Sequence, residues 1–328
     1  MSAVVNVALP VFAIILIGVL AGRARLLGPE ASGALNAFVY WIALPPLLFL
    51  AMARAPVAEV LHLPFIGTWL GGLLAVWAAG SALGRLLHGS PAPVAAMQGM
   101  AASFSNTGYM GIPLFLAAFG ERGLAPATLA TVLMSAVAVG VAVVALELTG
   151  RRGHGAAAAV RGAGSALATN PLVVAPLAGI AASLAGLPLP APVVTLFELT
   201  GAAASPCALF AIGLFLAGQR LTGGGAGGEP GGGLRSRLGE TAWIAALKLV
   251  VHPLATAGLA LWVFDLEPFW AASAILLAAL PTGALTFVVA SRYGIHVERT
   301  SSAILVSTVL SVITVSALLA VYAPRFGG

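Results

Sequence analysis

The chain alternates apolar stretches of about twenty residues, the length that spans a hydrocarbon core, with short polar connections. The stretches run at about Val4–Gly22, Gly33–Ala53, Pro64–Leu87, Val94–Gly120, Pro126–Thr149, Pro171–Leu187, Val193–Gly218, Thr241–Phe264, Phe269–Tyr293 and Ser301–Tyr322. The pattern predicts an all-α polytopic membrane protein with ten transmembrane helices. The first stretch is expected to be a span and not a signal peptide: its positive charge, Arg23 and Arg25, follows the apolar run, and no small-residue cleavage site is evident. Two stretches are interrupted. Ser105-Asn106-Thr107-Gly108-Tyr109-Met110-Gly111-Ile112-Pro113 divides the fourth, and Leu280-Pro281-Thr282-Gly283-Ala284 divides the ninth. Backbone released from helical bonding at membrane depth is tolerated only where protein or a water-filled cavity satisfies it, and such matched interruptions point to a solute-binding site.

The interruptions also expose a repeat. The connection at 151–170 splits the spans into two sets of five, 1–150 and 171–328, and an odd number per set makes the second enter the membrane with opposite polarity. Pro45 and Pro46 in the second span match Pro206 in the seventh, and Asn106-Thr107-Gly108 matches Pro281-Thr282-Gly283. The repeats are thus expected to be inverted. Within the second, loop 219–237 carries the glycine-rich run Gly223–Gly233, a flexible linker by composition. Residues 156–167 read as a plain loop or a short interfacial helix.

Composition agrees with the membrane class. Hydrophobic residues are 60% of the 328, charged residues 8%, and mean hydropathy is +1.05, against about a quarter charged in an ordinary soluble domain. The net charge of +5 forms no stripe or aromatic-interleaved patch, so nucleic acid is not an expected partner. The basic residues instead set orientation. Loops holding Arg23, Arg25, Arg85, Arg151, Arg152, Arg161, Arg220, Arg235, Arg237, Arg292 and Arg299 alternate with loops holding Arg54, Arg122 and Arg325. The positive-inside rule places the first set in the cytoplasm and both termini outside it, in a plasma (inner) membrane. The single Cys207 allows no intramolecular disulfide or multi-cysteine metal site, and no metal or other cofactor is expected.

The segment Ser105 to Leu114 resembles the Asn-Thr-x-x-Met-Gly-Ile-Pro-Leu signature of the auxin efflux carrier family, which includes plant PIN proteins and bacterial carriers of malonate and other organic anions. The resemblance extends over most of the chain: Leu9-Pro10-Val11-Phe12 ahead of Gly18, Leu44-Pro45-Pro46-Leu47-Leu48-Phe49, Lys248 followed by His252-Pro253, and Leu280-Pro281-Thr282-Gly283. The family is similar in fold to bile acid:sodium symporters. That resemblance implies crossed, broken fourth and ninth helices in a mobile transport domain built from helices 3–5 and 8–10. It also implies a scaffold of helices 1, 2, 6 and 7 that carries a homodimer contact, and an elevator-type mechanism.

The chemistry of the interruptions leads the same way. A half-helix that resumes at mid-membrane presents unpaired N–H groups and the positive end of its dipole to the gap, where an anion is favoured. Pro113 suits the first turn of such a half-helix, and Gly108, Gly111 and Gly283 allow close approach and unusual dihedrals. Asn106 is the candidate carboxylate-orienting amide, with Thr107, Gly108, Tyr109, Pro113, Pro281, Thr282 and Gly283 around it; packing of a kinked helix is the alternative role for Thr107, Tyr109 and Thr282. Lys248 and Glu147 lie inside spans and are expected to form an ion pair, with proton coupling as the alternative. Glu198 is expected to reach water at the outer end of the seventh span. The six tryptophans read as interfacial anchors. Carriage of a small organic anion is the expected function. A solute sensor without flux stays open, whereas an intramembrane enzyme is disfavoured because no metal-binding His-Glu pair or nucleophile elbow occurs in any span.

Overall fold

The computed structural model describes residues 7–28, 30–56, 62–138, 164–165, 168–218 and 234–326. Glu147, most of the connection at 151–170 and the Gly223–Gly233 run lie outside them. Among the described residues the chain is helical: α1 Leu9–Arg23, α2 Ala31–Arg54, α3 Leu63–His88, α4 Ala92–Ser103, α5 Ile112–Phe119, α6 Leu124–Leu133, α7 Pro171–Leu184, α8 Ala191–Gly218, α9 Arg237–Val263, α10 Pro268–Ala278, α11 Leu285–Tyr293 and α12 Val297–Phe326. Five of these, α2, α3, α8, α9 and α12, are long and apolar enough to cross a membrane, and α1, α7 and α10 are shorter apolar helices.

Prolines shape several of them. A proline lacks an N–H and its ring crowds the carbonyl four residues back, so the preceding turn widens. Wide, five-residue-spaced turns run Val39–Ala43 ahead of Pro45 and Pro46, Thr107–Gly111 ahead of Pro113, and Leu247–Val251 ahead of Pro253. Two of these turns carry site candidates, Thr107 to Tyr109 and Lys248.

Helices α1 and α8 pack together, as do α2 and α7, each through a glycine that lets backbones meet. A Cβ on Gly18 would lie 2.4 Å from the Phe210 carbonyl oxygen, and one on Gly179 would lie 2.4 Å from that of Phe49. Without a hydrophobic drive between helices in lipid, such small-residue contacts supply the dispersion energy of association. The remaining helices form a second group. Gly80 and Gly99 bring α3 against α4, and the fully buried Glu240 of α9 accepts from Gln98 Nε2 of α4 at 2.6 Å and from Arg299 of α12, with His296 Nε2 3.0 Å away.

The tryptophans depart from the interfacial expectation. Trp262 is 85% exposed and Trp41 57%, but Trp69, Trp77 and Trp270 are buried. Trp270 packs edge-on to Phe65 and stacks on His62, and Trp69 lies parallel to Phe65. In these three the indole fills space between helices of the second group, because α3, which carries Trp69 and Trp77, is covered by α4, α9 and α10, and Trp270 of α10 packs back against it.

Candidate substrate-binding site at the crossing

Helix α4 ends at Ser103 and α10 at Ala278, and the non-helical segments that follow run antiparallel across one another. Ser105 pairs with Thr282, Asn106 N–H donates to Pro281 O at 2.9 Å, and Gly283 N–H donates to Phe104 O at 3.0 Å. The pairing centres on Ser105 and Thr282, and sets Asn106 opposite Pro281. Since Pro281 has no N–H to return, the Asn106 carbonyl is left for the next turn, where it accepts from Met110 at 3.2 Å and Gly111 at 3.0 Å. Gly283 is required by proximity: a Cβ there would meet the Phe104 ring at 2.8 Å and Asn106 Cα at 3.3 Å. The unusual dihedrals expected at Gly108, Gly111 and Gly283 are not adopted, since the positive-φ glycines are Gly89, Gly120, Gly186 and Gly294.

A cavity of about 520 Å³ lies against this crossing, walled by α2, α6, α8 and α11. Of the residues singled out from sequence, Asn106, Thr107, Gly108, Tyr109 and Gly283 line it. Asn106 is 5% exposed and its side chain makes no hydrogen bond to any described residue, so its amide is available to a ligand in the cavity. The turn at Thr107 and helix α11 both begin at the cavity wall, and among the described residues no backbone carbonyl accepts from the N–H groups of Tyr109, Ala284 and Leu285. Two positive helix ends therefore converge on one cavity with an unused amide between them. None of the described lining residues is Asp, Glu, Lys, Arg or His.

The other three candidates stand behind the cavity. Pro113 sits in the first turn of α5, as its missing N–H favours, and is buried in protein. Pro281 supplies the carbonyl to Asn106, and Thr282 is committed on both sides, its Oγ1 donating to Ala101 O at 2.8 Å and its N–H to Ser307 Oγ at 3.1 Å. Sequence reasoning missed Ser32, Asn36 and Tyr40 on α2, Thr131 on α6 and Ser135 in the wide turn Met134–Ala138 that continues it, which line the opposite walls. Their signal was a four-residue spacing of polar side chains inside apolar spans, which places them on one helix face. Tyr109 Oη donates to Asn36 O at 3.3 Å and ties the crossing to that wall.

Lys248 is fully buried and does not itself line the cavity. Its Nζ donates to Ser105 Oγ at 2.8 Å and to the Ala278 carbonyl at 2.6 Å, with His252 Nδ1 3.1 Å away. Ala278 ends α10, so Nζ lies at the negative end of a half-helix dipole, where positive charge is favoured. Among the described residues no carboxylate lies within ion-pair distance of Lys248, and Glu147 is outside them. Glu198, for its part, is paired: Arg54 Nη2 lies 2.6 Å from its Oε1, both side chains about half exposed.

A model of the membrane transport protein family matches residues 3–159 and 158–319. The chain belongs to that family. This is the auxin efflux carrier family of the sequence signature, and its members are membrane transporters, not enzymes. A Rhizobium meliloti (strain 1021) protein named "Putative malonate transporter" is 35% identical over 97% of this chain and 96% of its own length. Two proteins named "Uncharacterized transporter", one from Methanothermobacter thermautotrophicus and one, YfdV, from Escherichia coli K12, are each 25% identical, over 93% and 97% of this chain and 94% and 96% of their own. This family member is a multi-pass membrane transporter.

Proposed function

We propose that the protein carries small organic anions, mono- or dicarboxylates of malonate size, across the plasma membrane by an elevator motion, with the carboxylate held at the crossing. The observation that carries this reading is the unbonded Asn106 amide between two helix N-termini, in a cavity whose described lining residues carry no fixed charge of either sign. An anion there is stabilised by dipoles and an amide donor, which bind it without trapping it as a buried cation would. The malonate in the name of the Rhizobium relative agrees in size and charge with that chemistry.

Ten spans in two inverted repeats, 1–150 and 171–328, are part of the same reading. Gly179 follows Gly18, and Phe210 follows Phe49, by the same 161 positions, so the two glycine contacts at 2.4 Å are each other's counterparts. Pro206 follows Pro45 by 161 as well. Beyond the glycine-rich loop the offset grows to 175, which relates Asn106 to Pro281 and Thr107 to Thr282 at the centre of the crossing. Helices α1, α2, α7 and α8 are then the scaffold, with a dimer contact on its lipid face, and the crossing moves with the other helices as the transport domain. Arginine distribution supports termini on the non-cytoplasmic side. Lys248 is a positioning residue in this scheme: it fixes Ser105 beside Asn106 and neutralises the carbonyl end of α10.

The test is uptake of labelled malonate, succinate and acetate into proteoliposomes, with and without a proton gradient. Saturable uptake of at least one carboxylate is expected. Tight binding with no flux of any would turn the reading to a sensor, and neither binding nor flux would end it.

A further inference from the structure

A second cavity, of about 510 Å³, lies at the opposite ends of the helices that wall the first. The cavity at the crossing uses the start of α2 and the end of α8, whereas the second uses the end of α2 and the start of α8. The scaffold residues of the two correspond through the repeat. Asn36, Ala37, Tyr40 and Trp41 face the first cavity; the residues 161 positions later, Phe197, Glu198, Gly201 and Ala202, all line the second. Phe215 faces the first, and its counterpart 161 positions earlier, Arg54, lines the second. One scaffold surface thus occurs twice, once toward each side of the membrane, and its chemistry differs. Where the first wall has Ala37 and Phe215, the second has the ion pair Glu198–Arg54.

We propose that the second cavity is the outer half of the anion's path and that Arg54 binds the substrate carboxylate there when the crossing faces outward. This rests on the alternating-access reading above and names a residue that would touch substrate in one state only. An Arg guanidinium has five N–H donors in a fixed fork, and Glu198 is held through Nη2, so donors are left for an incoming carboxylate. An ion pair this exposed holds its partners weakly, so exchange of Glu198 for substrate is easy. The cavity also holds Glu121 and Arg122, the latter with its guanidinium 4.1 Å above the Phe269 ring centroid. Two arginines and two glutamates leave the empty cavity formally neutral, which lets an anion depart as readily as it arrives. The described residues of the inner wall include no such cation, so the two sides differ in affinity.

The experiment measures KM for malonate and succinate from each side, in right-side-out and inside-out membrane vesicles, for the parent, Arg54→Gln, Glu198→Gln and the double variant. Arg54→Gln should raise the outer KM about tenfold, the effect of losing one charge-assisted hydrogen bond, while the inner KM stays within about twofold of the parent. Glu198→Gln should lower the outer KM by about threefold by freeing Arg54, and the double variant should follow Arg54→Gln. Outer KM shifted in the same direction by both single variants, or shifted equally on both sides, would assign the pair a structural role and overturn the inference while leaving the carrier reading in place. Absence of flux of either carboxylate in the parent from both sides would instead remove the carrier reading, and this inference with it.

Discussion

The helix pairs α1–α8 and α2–α7, proposed above as the scaffold, and the two segments of the crossing treat repetition in opposite ways. At the scaffold, Gly18 against Phe210 and Gly179 against Phe49 repeat one contact with the same residue types and the same 2.4 Å approach. At the crossing the backbone repeats but the chemistry does not: Asn106 faces Pro281, one an amide and hydrogen-bond donor, the other neither. Packing energy depends on shape, and one shape serves both halves. A binding site needs its donor once, and a second amide at position 281 would compete for the Asn106 carbonyl that the turn at Thr107 uses.

The largest effect should come from breaking the scaffold side. A Cβ at Gly213 would lie 2.1 Å from the Ile15 carbonyl oxygen, which is backbone and cannot move aside. Gly213→Leu should cost more than about 3 kcal/mol by overpacking and yield no monodisperse protein on size-exclusion chromatography. Gly18→Ala and Gly179→Ala, being counterparts, should lower Tm by equal amounts, each costing about 1–3 kcal/mol; clearly unequal shifts in detergent would break the symmetry argument. Gly33→Ala is the control, since no heavy atom lies within 4 Å of its added Cβ.

The crossing should respond unequally. Asn106→Ala removes a charge-assisted hydrogen bond of about 1.5–3 kcal/mol and should weaken carboxylate binding by roughly one to two orders of magnitude. Asn106→Asp should be worse, because it sets like charges together at low dielectric. Pro281→Ala, at the matched position, should change affinity less than about threefold. Calorimetric titration of monodisperse variants decides; equal losses at 106 and 281 would show that the site is as symmetric as the scaffold.

Lys248→Ala tests whether the crossing is held from behind. It leaves Ser105 Oγ and the Ala278 carbonyl without their buried donor, at about 1–3 kcal/mol of stability for each such group. Because Ser105 adjoins Asn106, affinity in the surviving folded protein should fall too. A variant that lost Tm but bound malonate like the parent would make Lys248 purely a packing residue. The smallest effect belongs to Tyr109→Phe, which loses only the bond to Asn36 O, about 0.5–1.5 kcal/mol, with binding weakened by less than about tenfold.

Much of this architecture was legible in the chain because its causes are local. Apolar runs of span length, prolines that widen the turn ahead of them, and glycine-proline interruptions each act within a few residues, so the all-helical membrane class and the places of most described helices follow from the sequence by itself. The family signature lies on one of those interruptions for the same reason. Tertiary structure alone decided the rest. Which candidates reach the cavity depends on how two distant segments cross: Asn106 and Gly283 face it, while Thr282 spends its hydroxyl on Ala101. Lys248 donates to groups 30 and 143 residues away, with only His252 near it in the chain, and the partner of Arg54 is 144 away. Trp69, Trp77 and Trp270 look in sequence like any interfacial indole, yet neighbouring helices bury them. In each case the deciding term is contact between helices remote in the chain, which leaves no local pattern because either partner alone is an ordinary residue in an apolar span.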